Sequence, residues 1–350
     1  MSKFWRRLTV IVLVLVFIIG GAAVYAYIQT RPVSSSGADI KVNIPEGSGT
    51  SLIADQLQRE GIIKNALLFK VYLKYKSEGS RFQAGTYALS PSMTYDQIIG
   101  KLNHGDVVKA DMVHFTIPEG YTVMQMADRL SGEGIVDKAQ FLKLAKDPSG
   151  IELPLLKEIP SQPKQLYRLE GLLFPETYEL KKGSSEQEIM TRMLEELQSR
   201  LDEIPDWHLK LQKSKMSLTE VLTVASLIER EVVVDKERKL VASVIYNRLK
   251  KGMKLEIDAT IQYLLGKPKE RLLNSDLRKV DSPYNTYLYK GLPPGPIASP
   301  SLKSIEAALE PDTSDYLFYV TKKDGSHEHL FAKTYAEHLK NIKISKTTAK

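Results

Sequence analysis

A run of 21 residues without a charged side chain, Leu8–Ile28, constrains this chain of 350 residues more than any other feature. As an α-helix that rises about 1.5 Å per residue, the run would span about 30 Å, the thickness of the hydrocarbon core of a bilayer. The basic residues Lys3, Arg6 and Arg7 precede it, which predicts a cytoplasmic N-terminus and an extracytoplasmic remainder. A signal peptide cleaved near Ala26 is the alternative. We expect a retained, single-pass anchor in the cell membrane, because the run is long for a signal peptide.

The rest of the chain has the composition of an ordinary globular protein, so it can bury cores of its own. Its length fits about two globular units beside the anchor. Cysteine is absent, which excludes disulfides, thiolate metal sites and a cysteine nucleophile. Among the six histidines only His327 and His329 are close in sequence, and no H-E-x-x-H pattern occurs, so we expect neither a metal nor another cofactor. The net charge of +7 comes from lysines scattered among acids, which favours a solvated surface over nucleic-acid binding.

A duplication follows the anchor and a short polar linker. The IPEG motif at Ile44–Gly47 recurs at Ile117–Gly120, 73 residues later, and further matches share this offset. The segments around Tyr87 and Tyr178 match at an offset of 91, so the second copy carries 91 − 73 = 18 extra residues. This insertion, near Asp147–Arg168, holds four prolines and is predicted to be a loop.

Each copy of the duplication is predicted to form a strand, two helices and a returning strand. The first copy would begin with the strand Ile40–Ile44 and return with Gly85–Leu89, and the second would use Val113–Ile117 and Glu176–Leu180. A unit of this order resembles the LysM module, which binds the N-acetylglucosamine-containing glycan of cell walls. The sequence leaves open whether the repeats bind glycan or only hold the rest of the chain away from the membrane.

A helix that begins at Ser217 carries the candidate catalytic residue. Ser217 and Glu220 form a capping box, and an apolar stripe follows at helical spacing. Glu229 lies beside this stripe, where desolvation would raise its pKa toward the value that a general acid needs. The alternative is a helix-end glutamate paired with Arg230 or Lys236, and Glu231 is a rival for the catalytic role.

Two further segments offer groups that could bind a sugar. A second helix, about Lys236–Lys250, carries Asn247, which could line a cleft. Beyond it, Tyr284, Asn285 and Tyr287 precede a segment so rich in proline and glycine that it cannot be a helix or a central strand. Tyrosine rings and asparagine amides are typical of sugar sites, although a purely structural turn is the alternative.

Five motifs taken together resemble the MltG (YceG-like) family of endolytic murein transglycosylases. They are ASLIERE at Ala225–Glu231, EGLLFPETY at Glu170–Tyr178, VASVIYNRL at Val241–Leu249, YNTY at Tyr284–Tyr287 and GLPPGPIASP at Gly291–Pro300. The resemblance implies a membrane-anchored lyase with a LysM-like domain, whose catalytic residue is the first glutamate of the first motif, Glu229. The family often has Asp-Pro-Thr where this chain has Asp258-Ala259-Thr260, which leaves Asp258 as a candidate binding residue.

The expected fold is therefore α+β, with a mostly helical α+β catalytic domain after the repeats. The predicted order is a cytoplasmic N-terminus (1–7), a transmembrane helix (8–28), a linker (29–39), a first LysM-like repeat (40–110), a second repeat with the insertion (111–180), the catalytic domain (181–343) and a polar, frayed tail (344–350).

One carboxylate suffices for the reaction that the resemblance implies. Glu229 would protonate the glycosidic oxygen and then take the proton of the sugar's own C6 hydroxyl, whereas a hydrolase usually needs two carboxylates. Glu176, which corresponds to Gly85 in the first copy, is expected to line the cleft, and Glu170 is a weaker candidate.

The predicted substrate is peptidoglycan, cut within nascent glycan strands near the membrane so that elongation of the strand ends. Peptidoglycan synthases and division or elongation proteins are candidate partners. Two other readings remain open, a glycan-binding membrane protein without catalysis that organises wall synthesis, and a true hydrolase of the same bond.

Overall fold

The computed structural model describes residues 3–108, 111–266 and 272–348, which form two compact units, Met1–Ala110 and Asp111–Lys350. The fold is mixed α+β and about half helical, so the predicted class is confirmed. The first unit contains α1 (Lys3–Thr30), β1 (Ile40–Ile44), α2 (Thr50–Arg59), α3 (Ala66–Lys76), β2 (Gly85–Leu89) and α4 (Tyr95–His104).

Helix α1 contains the one segment of the described chain that is long and apolar enough to cross a membrane, Ile11–Thr30. Its apolar side chains are exposed, and Phe17 is 84% exposed. Exposure of so much contiguous apolar surface marks a segment that needs an apolar environment outside the chain. The predicted N-terminal apolar helix is confirmed, while its orientation stays a prediction.

The C-terminal end of α1 is fastened to the rest of the first unit. Lys64 Nζ donates to the Ile28 carbonyl at 3.3 Å, and the Tyr95 hydroxyl donates to the Gln29 carbonyl at 3.4 Å. These bonds satisfy carbonyls that the end of a helix leaves without partners. The linker beyond has no regular structure, as predicted, but the Val33 amide donates to Pro91 at 2.9 Å.

The second unit begins with the second copy of the duplication and continues through a largely helical region. Its elements are β3 (Met112–Thr116), α5 (Val123–Gly132), α6 (Lys138–Lys146), α7 (Pro154–Glu158), β4 (Thr177–Lys181), α8 (Glu186–Asp202), α9 (Trp207–Ser214), α10 (Leu218–Glu231), α11 (Arg238–Lys250), α12 (Asp258–Leu265), α13 (Asn274–Leu277), α14 (Leu302–Leu309), β5 (Phe318–Thr321), β6 (His329–Ala332) and α15 (Tyr335–Thr347).

The two copies pair their strands in the same register. In the first copy Val42 lies opposite Tyr87, and in the second Phe115 lies opposite Tyr178. Val42 corresponds to Phe115 at the offset of 73, and Tyr87 corresponds to Tyr178 at the offset of 91. Both tyrosines are buried and donate a hydrogen bond to the carbonyl four residues earlier, at 2.7 Å for Tyr87 and 2.6 Å for Tyr178. Each copy follows the order strand–helix–helix–strand in the antiparallel pairing, with α7 as an addition in the second. The likeness to LysM modules stays a prediction.

The cores of the two units differ in extent. The first is built from the strands and helices of one repeat, with Leu57, Phe69 and Tyr87 at its centre. The second joins the second repeat to α8, α10, α11 and α14 in a single apolar cluster, so that Leu130 of α5 and Ile228 of α10 belong to the same core.

Three parts of the second unit differ from the sequence-based expectation. The insertion is not entirely a loop, because a proline at its first position starts the short helix α7. The expected frayed tail continues α15 to Thr347, and Ser345 is buried with its hydroxyl bonded to the Thr321 carbonyl at 2.7 Å. The hairpin β5–β6 had not been predicted, although the Asp324-Gly325 pair between its strands is a common turn signal.

Candidate active site

Helix α10 carries Glu229 in its last turn. The predicted capping box is present, with the Glu220 amide bonded to the Ser217 hydroxyl at 3.3 Å and the Ser217 amide to the Glu220 carboxylate at 2.8 Å. The helix is buried on nearly all sides, and the hydroxyls of Thr223 and Ser226 donate to its own backbone. Thr223, for example, donates to the Thr219 carbonyl at 2.7 Å. The rigid, buried helix fixes the position of the carboxylate at its end.

The Glu229 carboxylate is held through one of its two oxygens. Oε2 accepts hydrogen bonds from the Ser301 amide at 3.0 Å, the Ser301 hydroxyl at 2.5 Å, the Ser304 hydroxyl at 2.8 Å and Arg238 Nη1 at 3.2 Å. No residue in the described ranges donates to Oε1. The side chain is only 7% exposed. The geometry therefore anchors one oxygen and leaves the other available to an incoming group.

The proline-rich segment leads into the start of α14 and so delivers the serine donors. Ser301 is the N-cap of this helix, and its hydroxyl also accepts the Ser304 amide at 3.3 Å. A helix N-terminus carries partial positive charge and unpaired amides, and both favour an anion beside it. Sugar binding by the side chains of this region stays a prediction, and the structure shows that the segment places a helix end against Glu229.

Arg238 supplies the full positive charge of the site. It is the first residue of α11, is buried, and bonds Ser304 Oγ at 2.6 Å and Asp235 at 3.1 Å as well as Glu229. Lys303 pairs closely with Asp235 at the edge of the same network. Because a buried carboxylate is costly without a partner, Arg238 makes the position of Glu229 tolerable.

The second IPEG turn lies directly against the end of α10. The Gly120 amide donates to the Ser299 carbonyl at 2.8 Å, and Arg230 Nη1 donates to the Gly120 carbonyl at 3.1 Å. Gly120 has a φ of +73°, and a Cβ there would lie 3.8 Å from Glu229 Cγ. Its neighbour Glu119 is near enough that partial desolvation and then the Glu229 charge raise the pKa of the Glu119 carboxyl.

Glu176 lies in a depression of about 390 Å³ that borders this network. The depression is also lined by Glu119, Arg200 and Leu302, the residue after Ser301. Glu176 accepts from Arg200 Nη2 at 2.9 Å. The structure thus brings Glu176 to the same side of the unit as Glu229, and its role as a cleft residue stays a prediction.

Glu231, the rival of Glu229, belongs to a different cluster. Two residues along a helix correspond to a rotation of about 200°, so the two side chains leave α10 on nearly opposite sides. Glu231 accepts from the Tyr319 hydroxyl at 3.1 Å, and burial raises the pKa of Glu231 to about 7, with the Asp258 charge as a smaller contribution. The structure brings the predicted Asp258 and Tyr287 together here, because the Tyr287 hydroxyl donates to Asp258 at 2.5 Å.

Tyr284 lies in a third cluster, around Glu170. Tyr284 is buried and its ring centroid is 5.2 Å from that of Tyr263. Tyr263 donates to Glu170 Oε2 at 3.0 Å, and the Val123 amide donates to Oε1 at 2.9 Å. Burial raises the pKa of Glu170 to about 7, although both hydrogen bonds act in the opposite direction.

Comparison with known proteins connects this arrangement to one family. The profile of the YceG-like family matches residues 42–344. The chain belongs to the YceG-like family. It is 40% identical over 332 residues to the endolytic murein transglycosylase of Bacillus subtilis (strain 168), which covers 92% of this chain and 89% of that protein.

Two further comparisons agree. The endolytic murein transglycosylase of Streptococcus pneumoniae serotype 2 (strain D39 / NCTC 7466) is 32% identical over 349 residues, which cover 92% of this YceG-like chain and 62% of that protein. A crystal structure of a yceG-like protein from Listeria monocytogenes matches with a TM-score of 0.58 and 39% identity, covering 87% of this chain and 99% of that one.

Both asparagines predicted to bind substrate in this YceG-like chain use their amides to hold backbone. Asn247 Nδ2 donates to the Ser314 carbonyl at 2.8 Å and the Tyr316 carbonyl at 3.0 Å. Asn285 Nδ2 donates to the carbonyls of Leu277 and Val280, at 3.1 and 2.9 Å. In this arrangement both side chains fix loops, and a role for either in binding substrate stays a prediction.

The sequence-based reasoning missed the groups that hold Glu229. Arg238 was one basic residue among many, and Ser301 and Ser304 lie more than 70 residues after Glu229. The spacing of Ser301 before an apolar helix is an N-cap signal that could have been recognised. Within the described residues, no group of three or more histidine, aspartate or glutamate side chains could hold a metal ion.

Proposed function

We propose that this chain is a peptidoglycan-cleaving murein transglycosylase, the activity for which its relatives are named. It would cut the bond between N-acetylmuramic acid and N-acetylglucosamine within nascent glycan strands and so end their elongation. The observation that carries the proposal is the fixed Glu229 carboxylate, anchored through Oε2 with Oε1 open.

In the proposed reaction, a protonated Glu229 donates to the glycosidic oxygen while the bond from that oxygen to C1 of N-acetylmuramic acid breaks. The C6 hydroxyl oxygen of the same sugar then bonds to C1 and returns its proton to Glu229. The product has a 1,6-anhydro end, no water is consumed, and the enzyme ends in its starting state. Oε1 is the oxygen that would carry the proton in both steps, because Oε2 is engaged by Ser301, Ser304 and Arg238.

Helix α1 supports a location at the cell membrane. A single-pass anchor with the N-terminus in the cytoplasm would put the second unit and the part of the first unit beyond α1 outside, where the wall is built. Peptidoglycan strands are the proposed partner, and wall synthases that make such strands are further candidates. The LysM-like character of the repeats belongs to the same proposal.

The test is digestion of purified glycan strands by the detergent-solubilised chain, with the products weighed by mass spectrometry. Anhydro ends support the proposal, reducing ends with added water identify a hydrolase, and intact strands identify a binding protein. We expect Glu229→Gln to lower the rate by roughly 10²–10⁴-fold, the usual contribution of a general acid–base group, while the fold is kept. A Glu231→Gln variant tests the rival. Loss of cleavage in this variant with full activity in Glu229→Gln would overturn the assignment.

A further inference from the structure

A cavity of about 380 Å³ lies in the second unit and is distinct from the depression that contains Glu176. Its size falls within the range of roughly 300–1,000 Å³ that is typical of small-molecule sites. The lining combines apolar side chains with a few polar ones and includes Thr122, Gln125, Lys146, Tyr167, Glu170, Arg230, Gln262, Tyr263 and Ile297.

The cavity is next to Glu229. Arg230 lines it and donates to the Gly120 carbonyl at 3.1 Å, and Gly120 lies against Glu229. Thr122, another lining residue, comes only two residues after Gly120, so their Cα atoms are at most about 7 Å apart. A polymer cut at Glu229 therefore passes close enough to place a neighbouring unit in the cavity.

The neutral groups of the cavity suit an N-acetylated sugar. Tyr167 and Tyr263 contribute aromatic rings, and Gln125 and Gln262 contribute amides. Tyr263 is held in place by its hydrogen bond to buried Glu170 at 3.0 Å. A fixed aromatic surface with a few oriented polar groups is the usual composition of a site that recognises an amphipathic ligand.

The charged groups of the cavity favour an anion. Lys146 and Arg230 both line it, and although the Arg230 charge acts on Glu231, neither cation is within ion-pair distance of an acidic residue in the described ranges. Glu170 is the single acidic residue of the described lining, and burial raises the pKa of this carboxyl to about 7, so its negative charge is incomplete near neutral pH. The cavity thus presents more positive than negative charge to its contents.

We propose that this cavity binds a carboxylate-bearing N-acetylmuramoyl residue next to the bond that is cut, with Lys146 and Arg230 facing its carboxylate. The proposal rests on the function proposed above and adds a substrate requirement to it. The carboxylate can be that of the lactyl group on a strand without peptides, or one on an attached stem peptide.

The experiment uses the full chain and three substrates, which are stem-bearing strands, strands stripped of their peptides, and stripped strands whose lactyl carboxylates have been converted to amides. Lys146→Ala removes a cavity charge, and Lys143→Ala is the matched control, because Lys143 lies one turn earlier on α6, is exposed and is outside the described lining. We expect Lys146→Ala to raise KM roughly two- to fivefold on the substrates that carry the recognised carboxylate, with kcat unchanged, since one exposed charge pair contributes little more. Lys143→Ala should have the same KM and kcat as the unmodified chain on all three substrates.

If the KM of Lys146→Ala rises on stripped strands, the recognised group is the lactyl carboxylate. If the KM rises on stem-bearing strands alone, the recognised group is a carboxylate of the stem peptide. The proposal is overturned if Lys146→Ala behaves as Lys143→Ala does everywhere, or if its KM rises equally on the amidated strands. Failure of the proposed function looks different, because the unmodified chain would then release no anhydro ends from any substrate.

Discussion

The two copies of the duplicated unit, residues 40–89 and 112–181, share strand order, register and a buried tyrosine bonded four residues back. Their IPEG turns end in glycines with nearly the same backbone, φ +76° at Gly47 and φ +73° at Gly120. A Cβ on Gly47 would meet nothing within 4 Å, whereas one on Gly120 would approach Arg230 and Glu229. The positive φ of the turn therefore explains the glycine in both copies. Only the turn of the second copy also contacts the candidate active site.

The same difference extends to the cores. The first copy closes on itself, while the second shares its core with α10, the helix of Glu229. The two copies therefore have the same fold. The second copy differs from the first in its packing against α10 and the other helices of the second unit. Changes at equivalent places should affect stability alike and activity differently.

The largest expected effect concerns the ion pairs of the two units. Arg238→Met leaves Glu229 buried without its cation and should lower the free energy of unfolding of the second unit by about 3–5 kcal/mol. Lys70→Met removes the cation of a half-exposed pair with Asp55, at 2.8 Å in the first unit, and should cost about 1 kcal/mol or less. Hydrogen exchange read from the peptides of each unit measures both. Equal losses would show that the Glu229 network is no more buried in solution than a surface pair.

Leu57 and Leu130 occupy equivalent positions, and both are fully buried. Each change to alanine should destabilise its own unit by about 2–5 kcal/mol through lost burial and a cavity. Only Leu130→Ala should lower the temperature at which cleavage is lost, because its core contains α10. The comparison fails if Leu57→Ala lowers that temperature as much.

The second unit should lose stability as the pH rises, because its Glu170 and Glu231 carboxyls each have a pKa of about 7 when folded against an ordinary value of 4.5. The folded state then binds more protons than the unfolded state between these values, so stability falls as pH rises from about 4.5 to about 7 and is level above. Glu170→Gln keeps an acceptor and should remove the Glu170 share of this fall, on the order of 3 kcal/mol, while the Glu231 share remains. Denaturation followed by Trp207, which is buried in this unit, measures it between pH 5 and pH 8. If the free energy of unfolding falls with pH equally in the unmodified chain and in Glu170→Gln, Glu170 does not contribute to the fall.

The smallest expected effect concerns helix caps. Helix α5 begins with a capping box of Thr122 and Gln125, whereas α2 begins at Gly49, which has no side-chain cap. Gly49 has a φ of −71°, so Gly49→Ser introduces no strain and should stabilise the first unit by about 0.5 kcal/mol. Slower hydrogen exchange in α2 alone would be the expected result, and faster exchange there would contradict it.

Local signals made much of the fold predictable. The strands β1 and β2 have the predicted bounds, because the duplication provided two readings of each pattern, and caps such as Asn65 and Asp137 precede the helices α3 and α6. The position of Glu229 at the end of α10 followed from the Ser217 cap and the apolar stripe.

What surrounds Glu229 could not be predicted in this way. Ser301 and Arg238 reach it only after α10, α11 and α14 have packed, and no periodic pattern encodes that approach. Asn285 illustrates the converse, since its amide suggested sugar binding but the path of the backbone gives it two carbonyls to hold. The polar contacts of a site depend on tertiary packing, whereas helix ends depend on neighbours in sequence.

The hydrogen bonds from Lys64 and Tyr95 to the last turn of α1 have a mechanical consequence. A folded unit that is joined to a membrane helix by a flexible linker can rotate freely. A folded unit that is hydrogen-bonded to the end of the helix has an orientation that follows the tilt of the helix. The first unit would then keep one face toward the lipid headgroups, and only its position in the plane of the membrane would vary. For a protein whose proposed substrate grows from that plane, the search for a strand becomes two-dimensional.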